Sequence, residues 1–214
     1  MKLYPQILNN NQTKLLNKLG FLKDYSAYLA GGTAGALQLG HRTSLDFDFY
    51  TPKQFDSERV GDIFNKSFSN INISENQPKD TFQAIILEVN LSLFHYPYKL
   101  VGELVDFREV ELASLTDISA MKIAAIVQRG KQRDFIDLYY LIKRLGIEKV
   151  IKAAYQKYPW YEENNQIIFT ALTYFTDADR DEEINRITVF DKQLTWEKVK
   201  KEILREVKTY QKTV

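Results

Sequence analysis

The sequence predicts an α/β (α+β) fold in which an α/β half is followed by an all-helical half. Residues 28–50 have the pattern of a strand, a glycine turn, a short helix, a loop and a second strand. Residues 82–94 are predicted to form one strand, with apolar and polar side chains alternating over residues 88–93. At Leu115 the periodicity becomes helical. We therefore predict an α/β core over residues 1–114 and a helical domain over residues 115–214.

The composition is that of an ordinary water-soluble protein. The 214 residues are 44% hydrophobic and 27% charged, and the formal net charge of +1 creates no global field that favours nucleic acid or membranes. The absence of cysteine excludes disulfides, zinc–thiolate sites and thiol nucleophiles. No stretch resembles a signal peptide or reaches the roughly 20 apolar residues of a membrane helix. The sequence predicts a soluble, cytoplasmic protein with no membrane partner.

Several elements surround the predicted strands of the first half. Leucines over residues 15–22 recur at helical spacing, and Asn10 or Asn11 is the expected N-cap of that helix. The next helix is followed by a short strand at residues 71–73. A hairpin-type connection is predicted at residues 77–80.

The helical half begins with a segment that Thr116 or Asp117 can cap. Gly130 interrupts it, and a second helix is predicted from near residue 133 to residue 145. The helices that follow contain many aromatic side chains, which we interpret as packing anchors. The last predicted element is a charged helix around residues 196–208.

The pair Gly31-Gly32, followed by Thr33, is the first candidate site. Glycines permit positive φ and close approach of the backbone to a ligand. The helix after them offers free N–H groups and a positive dipole end to a phosphate. The pattern lacks the lysine and third glycine of a Walker loop and is not a dinucleotide fingerprint. Taken alone, such a pair also fits a tight turn without a ligand.

Asp46 and Asp48 form the second candidate site. Residues two apart on a strand share a face, so both carboxylates project together while Leu45, Phe47 and Phe49 face the other way. A hard divalent cation relieves the repulsion of two such carboxylates by taking oxygen ligands from both. In phosphoryl or nucleotidyl transfer, that metal neutralises phosphate charge and orients the attacking hydroxyl. The alternative is a solvated strand face.

The polar loop between these two sites holds further candidates. Arg42 can neutralise phosphate or pair with one of the two aspartates. We also predict that Ser44 contributes to nucleotide binding. His41 is one of only two histidines, which argues against a histidine-based metal site.

The third candidate region is residues 117–140. Lys122 and Arg129 are seven residues apart and share a helix face, so both can reach an anionic ligand. Asp134 starts an apolar stripe and therefore points inward, where it needs Lys122, Arg129 or Arg133 as a partner. Asp137 is one turn from Arg133 and can pair with it. The alternative is a salt-bridge network that only packs helices.

Together these residues resemble the DNA polymerase β-type nucleotidyltransferase superfamily. More narrowly, they resemble the AbiEii/AbiGii toxin family of bacterial toxin–antitoxin and abortive-infection systems. The matching motifs are LAGGTAGALQLGHRTSLDFDF, LSLFHYPY and LASLTDISAMKIAAIVQRGKQRDFIDLYYL, with weaker matches at ALTYFTDAD and near Trp196. The resemblance spans nearly the whole chain. It implies a small mixed-sheet nucleotidyltransferase core followed by a helical C-terminal half.

The resemblance also implies roles for individual residues. Asp46 and Asp48 match the metal-binding pair for Mg²⁺ or Mn²⁺, and residues 31–33 match the nucleotide-cradling turn. Lys122 matches the helix lysine that holds the triphosphate of a nucleoside triphosphate, and Asp134 matches the acidic residue of the RD motif. Related toxins are thought to modify RNA, such as tRNA, or protein acceptors, and a cognate antitoxin accompanies them.

One departure from the superfamily concerns a third carboxylate on a neighbouring strand. Here the polar face of residues 86–94 carries Glu88, Asn90 and Ser92, and Glu88 is its only acid. We therefore predict a Mg²⁺-dependent nucleotidyltransferase, the toxin of a toxin–antitoxin system, that transfers a nucleoside monophosphate to RNA or protein. The alternative is a non-catalytic nucleotide- or partner-binding protein on the same fold. The cleft is expected between the two halves.

The predicted site residues fall into two groups. The predicted catalytic residues are Asp46, Asp48, Lys122 and Asp134. The predicted nucleotide-binding residues are Gly31, Gly32, Thr33, Arg42, Ser44, Lys122 and Arg129.

Overall fold

The computed structural model describes residues 2–213, which contain nine α-helices and one seven-stranded sheet. The strands are β1 (Tyr28–Leu29), β2 (Phe47–Thr51), β3 (Ile71–Ile73), β4 (Thr81–Ile86), β5 (Val89–His95), β6 (Val105–Phe107) and β7 (Val110–Leu112). The helices are α1 (Asn10–Leu16), α2 (Gly31–Leu39), α3 (Ser57–Ser67), α4 (Leu115–Arg129), α5 (Gln132–Leu145), α6 (Ile147–Lys157), α7 (Trp160–Glu163), α8 (Asn165–Thr173) and α9 (Trp196–Gln211).

The sheet is mixed, with the order β3-β4-β5-β2-β1-β7-β6. The pairs β2–β5 and β1–β7 are parallel, and the other neighbours are antiparallel. Phe47 and Phe49 of β2 are fully buried and anchor the strand in the core. The predicted α+β class and mixed sheet are therefore confirmed.

Residues 82–94 differ from the prediction, because they form two strands rather than one. Strands β4 and β5 pair as an antiparallel hairpin in which Ile86 faces Val89. Leu87 and Glu88 form the turn, with φ angles of +51° and +63°. Two-residue hairpin turns of this kind usually contain glycine or asparagine. Neither residue type occurs at these two positions, so the sequence contains no recognisable signal for this turn.

The helix ends follow ordinary capping chemistry, but two N-caps lie earlier than predicted. Asn9 caps α1 by accepting a hydrogen bond from the Gln12 backbone amide, and the two residues form a capping box. Ser114 caps α4 by accepting from the Asp117 amide. Gly130 ends α4 in the left-handed conformation, as its position predicted.

Buried side chains form two clusters that meet at α4. Leu115 and Ile118 pack into the cluster around the sheet, whereas Ala120, Ile123 and Ile126 pack into the cluster of the later helices. Helix α4 thereby fixes the helices against the sheet. The division of the chain into domains at residue 114 stays a prediction. Among the helices described, none is long and apolar enough to cross a membrane.

Candidate active site

A cleft of about 640 Å³ opens between the sheet and the helical half. Its walls come from the start of α2, the loop that precedes β2, β2 itself, and helices α4 and α5. All ten predicted site residues line it: Gly31, Gly32, Thr33, Arg42, Ser44, Asp46, Asp48, Lys122, Arg129 and Asp134. The structure therefore brings residues from both halves of the chain to one site.

The glycine turn is the first turn of α2. The side chain of Ala30, at the N-cap, cannot accept a hydrogen bond from the helix. Gly31 has φ +61°, and a Cβ atom there would lie 3.2 Å from Asp48 Oδ2. A Cβ atom on Gly32 would lie 2.5 Å from Arg42 Nη2. Both glycines are thus required because neighbouring side chains approach the backbone closely.

Thr33 and Ser44 hold the loop before β2 against α2. The Thr33 hydroxyl donates to the backbone carbonyl of Asp46 and shares a hydrogen bond of 2.7 Å with Ser44 Oγ. Gln12 Nε2 donates to the Ser44 carbonyl at 2.8 Å. Both hydroxyl residues are buried. Their immediate effect is to fix the backbone that carries the two aspartates.

Asp46 and Asp48 are half-buried in the cleft wall. Asn90 Nδ2 donates to Asp46 Oδ1 at 2.9 Å. Burial, and then the charge of Asp46, raise the pKa of Asp48 despite the positive charges of Lys122 and Arg129 nearby. The ionised pair would therefore be stabilised by a cation.

The neighbouring strand supplies amide and hydroxyl groups rather than a third carboxylate. Ser92 of β5 is paired with Asp48 in the parallel register, and Asn90 contacts Asp46. Glu88 lies in the exposed β4–β5 turn. Within residues 2–213, no cluster of three or more His, Cys, Asp or Glu side chains has metal-site geometry. The donor set fits one divalent cation such as Mg²⁺ or Mn²⁺, held by two carboxylates.

Behind the cleft, Asp137 is the centre of a cluster of buried charges. Arg42 donates to it twice, from Nε at 2.6 Å and Nη2 at 2.8 Å. His41 Nε2 lies 2.7 Å from Asp137 Oδ1, and Lys122 Nζ lies 2.6 Å from Oδ2. Burial alone would raise the pKa of Asp137, but the charges of Arg42 and Lys122 and the hydrogen bonds from Arg42 and His41 hold it well below its usual range.

Lys122 is held between two carboxylates. Its Nζ lies 2.7 Å from Asp134 Oδ1 and 2.6 Å from Asp137 Oδ2, and these charges raise its pKa although burial opposes them. Asp134 is fully buried, so it points inward as the pattern predicted. Arg129 Nε approaches Asp134 Oδ2 at 3.4 Å while its side chain is 51% exposed. We call His41, Arg42, Lys122, Asp134 and Asp137 the buried charge network.

Two pairings in this region differ from the sequence predictions. Arg42 pairs with Asp137 rather than with an aspartate of the strand motif. Arg133 approaches Glu183 at 3.5 Å and not Asp137. Because Arg42 and Asp137 are 95 residues apart, helical spacing could not reveal the contact.

An aromatic wall completes the cleft and was not predicted, because the rings of the helical half were interpreted as packing anchors and those near β2 and β5 were not singled out. The wall is formed by Tyr50, Tyr96, Tyr98, Tyr158 and Trp160. Centroid distances of 4.9 Å separate Tyr50 from Tyr96, Tyr96 from Tyr98, and Tyr98 from Tyr158. The signal available in the sequence was two aromatic–proline–aromatic tripeptides, YPY and YPW. Proline at the centre of each argues for loops rather than for core elements.

A mixed sheet with an acidic pair beside a glycine turn defines the class of the protein as a nucleotidyltransferase fold. The family model of the nucleotidyl transferase AbiEii toxin, of a type IV toxin–antitoxin system, matches residues 20–213. The chain belongs to this family and is by family a nucleotidyltransferase, which confirms the resemblance found in the motifs. An uncharacterized protein of Aquifex aeolicus is 35% identical over 215 residues, covering 95% of this chain and 97% of that one.

Solved structures share the fold at low sequence identity. JHP933 from Helicobacter pylori is 17% identical, with a TM-score of 0.61, covering 99% of this chain and 94% of that one. MenT4, a nucleotidyltransferase toxin from Mycobacterium tuberculosis, is 15% identical, with a TM-score of 0.64 and coverages of 92% and 82%. ANT(2″)-Ia, solved with adenylyl-2″-tobramycin, is 17% identical, with a TM-score of 0.51 and coverages of 74% and 99%.

Proposed function

We propose that this protein transfers a nucleoside monophosphate from a nucleoside triphosphate to an RNA acceptor, such as tRNA, or to a protein acceptor. In this proposal it acts in the cytoplasm as the toxin of a toxin–antitoxin pair, and a cognate antitoxin binds it. The observation that carries the proposal is the single cleft in which a helix N-terminus, two half-buried carboxylates and several cationic side chains meet.

The start of α2 is the proposed binding site for the phosphate groups. No side chain at Ala30 occupies the amides of the first turn, and the positive end of the helix dipole favours an anion there. Gly31 and Gly32 carry no side chain that would displace Asp48 and Arg42 from this turn. The backbone can therefore hold the triphosphate while the hydroxyl groups of Thr33 and Ser44 keep the adjacent loop in place.

Asp46 and Asp48 would hold the divalent cation. When bound, Mg²⁺ or Mn²⁺ supplies charge neutralisation for the phosphates and orients the attacking hydroxyl. Asn90 fixes the orientation of the Asp46 carboxylate through its hydrogen bond. The raised pKa of Asp48 supports this role, because the nearby positive side chains do not offset the effect of burial and of Asp46.

The cationic side chains divide into fixed and available ones. Lys122 is buried and forms ion pairs with both Asp134 and Asp137. We therefore propose that it stabilises the cleft wall where the triphosphate binds. Arg129 is half exposed and has only a 3.4 Å approach to Asp134. Arg133 also lines the cleft. We propose that these two arginines supply most of the protein charge that reaches the phosphates.

The experiment is transfer of α-phosphate-labelled nucleoside triphosphates to tRNA or protein with Mg²⁺ or Mn²⁺, and with chelator as the blank. Asp46→Asn and Asp48→Asn should each lower labelling by about 10²-fold or more, because several kcal/mol of charge stabilisation are lost. Glu88→Gln removes an exposed carboxylate outside the cleft and should leave labelling unchanged. Equal labelling by wild type and an Asp46→Asn/Asp48→Asn double variant would overturn the proposal.

A second candidate function is nucleotide binding without transfer. It is favoured by Asn90 and Ser92, which occupy the positions of β5 closest to the two aspartates and provide no general base. Calorimetric binding of a nucleoside triphosphate, without labelling of any acceptor, would favour this function.

A further inference from the structure

Two aromatic side chains at the rim of the cleft are unusually exposed. Trp160 is 57% exposed and Tyr98 is 45% exposed. Both line the same cleft as the acidic pair. Large exposed apolar groups that share a concave site commonly mark a ligand contact. Nothing in the proposed phosphate and metal chemistry uses these two rings.

The inner rings of the aromatic wall make their contacts with one another. The hydroxyl groups of Tyr96 and Tyr158 hydrogen-bond to each other. Tyr50 follows Asp48 by two residues on β2, and its ring packs on Tyr96. The wall therefore runs from the strand of the acidic pair outward to Tyr98 and Trp160, its two most exposed rings.

The loop that carries Tyr98 is rigidly attached to the helices. Asp117 accepts hydrogen bonds from the Val101 and Gly102 amides, both at 2.9 Å. Lys157 donates to Asp117 at 2.8 Å and to the Lys99 carbonyl at 3.0 Å, and this ion pair is fully buried. Because the loop is already ordered, a ligand that stacks on it loses little free energy in fixing it.

The size and charge of the cleft fit a nucleotide. A volume of about 640 Å³ lies within the usual range of roughly 300–1,000 Å³ for small-molecule sites. Arg129 and Arg133 line the same cleft and can meet phosphate groups. Flat aromatic faces near cations are the arrangement by which proteins hold unpaired nucleobases, since every base has a π-face.

We propose that Tyr98 and Trp160 form a nucleobase-stacking subsite. This inference rests on the proposed function, in which a nucleotide occupies the cleft. The subsite holds one unstacked base by its face, and its ring faces read no hydrogen-bonding edge, so it accepts all four bases. The base belongs either to the nucleoside triphosphate or to a single-stranded RNA acceptor, and the chemistry of the contact is the same in both cases.

Tryptophan fluorescence tests the proposal, because the sequence contains only two tryptophans. The other one, Trp196, packs against Phe135 and Phe175 in the helical half. A Trp196→Phe protein therefore reports on Trp160 alone. It is titrated with each nucleoside triphosphate and with inorganic triphosphate, and separately with single-stranded oligouridylate and its abasic counterpart. Binding is followed in parallel by calorimetry.

Quenching by all four nucleoside triphosphates, but not by inorganic triphosphate, would assign the base to the donor nucleotide. Quenching by oligouridylate alone, and not by the abasic strand, would assign it to the acceptor. In either case Trp160→Ala should weaken calorimetric binding by about 5- to 150-fold, the loss expected for one stacked base. Trp160→Phe should retain most of the affinity. Tyr174→Ala, which removes an exposed ring outside this cleft, should retain all of it.

The outcome that overturns the subsite is calorimetric binding without quenching and with unchanged affinity in Trp160→Ala. In that case the proposed nucleotidyl transfer stands and only the stacking contact fails. Equal quenching by inorganic triphosphate or by the abasic strand would also overturn it. If neither nucleotides nor RNA bind at all, the proposed function and the subsite fall together.

Discussion

Replacing Asp137 by asparagine tests whether the pairing of opposite charges in the buried charge network stabilises the fold. Asp137 is 1% exposed, and asparagine there keeps one acceptor oxygen but no charge, so the Arg42 guanidinium stays buried without the carboxylate with which it pairs. Lys122 keeps its contact with Asp134. Breaking a buried pair from one side costs about 3–5 kcal/mol. For a chain of this length, about 1 kcal/mol shifts Tm by about 2–4 °C, so we expect a fall of about 6–20 °C.

Thermal unfolding followed by circular dichroism, with urea titration at fixed temperature, measures this effect. Glu148→Gln is the control, because it removes an exposed ion pair with Lys152 and should leave Tm unchanged. The double variant Arg42→Met/Asp137→Leu removes both charges and should regain much of the lost stability, since apolar replacements of buried ion pairs are often neutral. Stability of Asp137→Asn equal to that of the control would refute the reasoning, and so would failure of the double variant to recover.

Further predictions follow from the burial of single groups. Asp48→Asn should raise Tm in chelator by an amount equivalent to about 0.5–2 kcal/mol. The raised pKa of Asp48 favours folding only at low pH, and this contribution is lost as pH rises through the folded-state pKa. Burial lowers the pKa of His41 from 6.5, so its contribution to folding is present above that pH and is lost as pH falls. His41→Gln should flatten this acid decline in urea titrations, whereas His95→Gln should not. Gly32→Ala should cost about 1–3 kcal/mol in urea unfolding, because its Cβ atom would lie 2.5 Å from Arg42 Nη2.

The glycine prediction has a matched control in the same helix. Gly35 lies in the interior of α2, and a Cβ atom there would meet Ile118 Cγ2 at an ordinary 3.5 Å. Gly35→Ala should therefore leave stability unchanged or raise it by up to about 1 kcal/mol. A loss of stability as large as that of Gly32→Ala would show that α2 tolerates no side chain at all, independently of Arg42.

The elements that could be predicted from the sequence are those whose information is local. Residues 28–50 contain a glycine pair, a helix and an acidic alternation within one short stretch, and each has its own periodicity. The inward position of Asp134 followed from its place on an apolar stripe. The partner of Asp137 could not be derived, because the contact to Arg42 joins two segments that only the tertiary fold brings together.

Two other features escaped prediction for a different physical reason. The β4–β5 turn uses Leu87 and Glu88 in a conformation that other residue types prefer, so composition gave no warning of it. Nothing in the local sequence distinguishes Tyr98, or Trp160 (interpreted above as a packing anchor), from the buried aromatic residues. Their exposure depends on where the loop after β5 and the start of α7 are held, which is a tertiary property.

The cleft takes its charged side chains from both parts of the chain. Asp134 and Asp137 offset the two permanent cations of the buried charge network, so this network gives rigid support and little net attraction for phosphate. Among the described residues, no ion pair of this kind neutralises Asp46 or Asp48, and by themselves these two carboxylates repel a triphosphate. In the proposed function, attraction comes from a cation bound to these two carboxylates together with Arg129 and Arg133 of the opposite wall. If the proposed function holds, we expect the nucleotide to enter this site as a complex with the metal, because neither wall alone supplies enough positive charge.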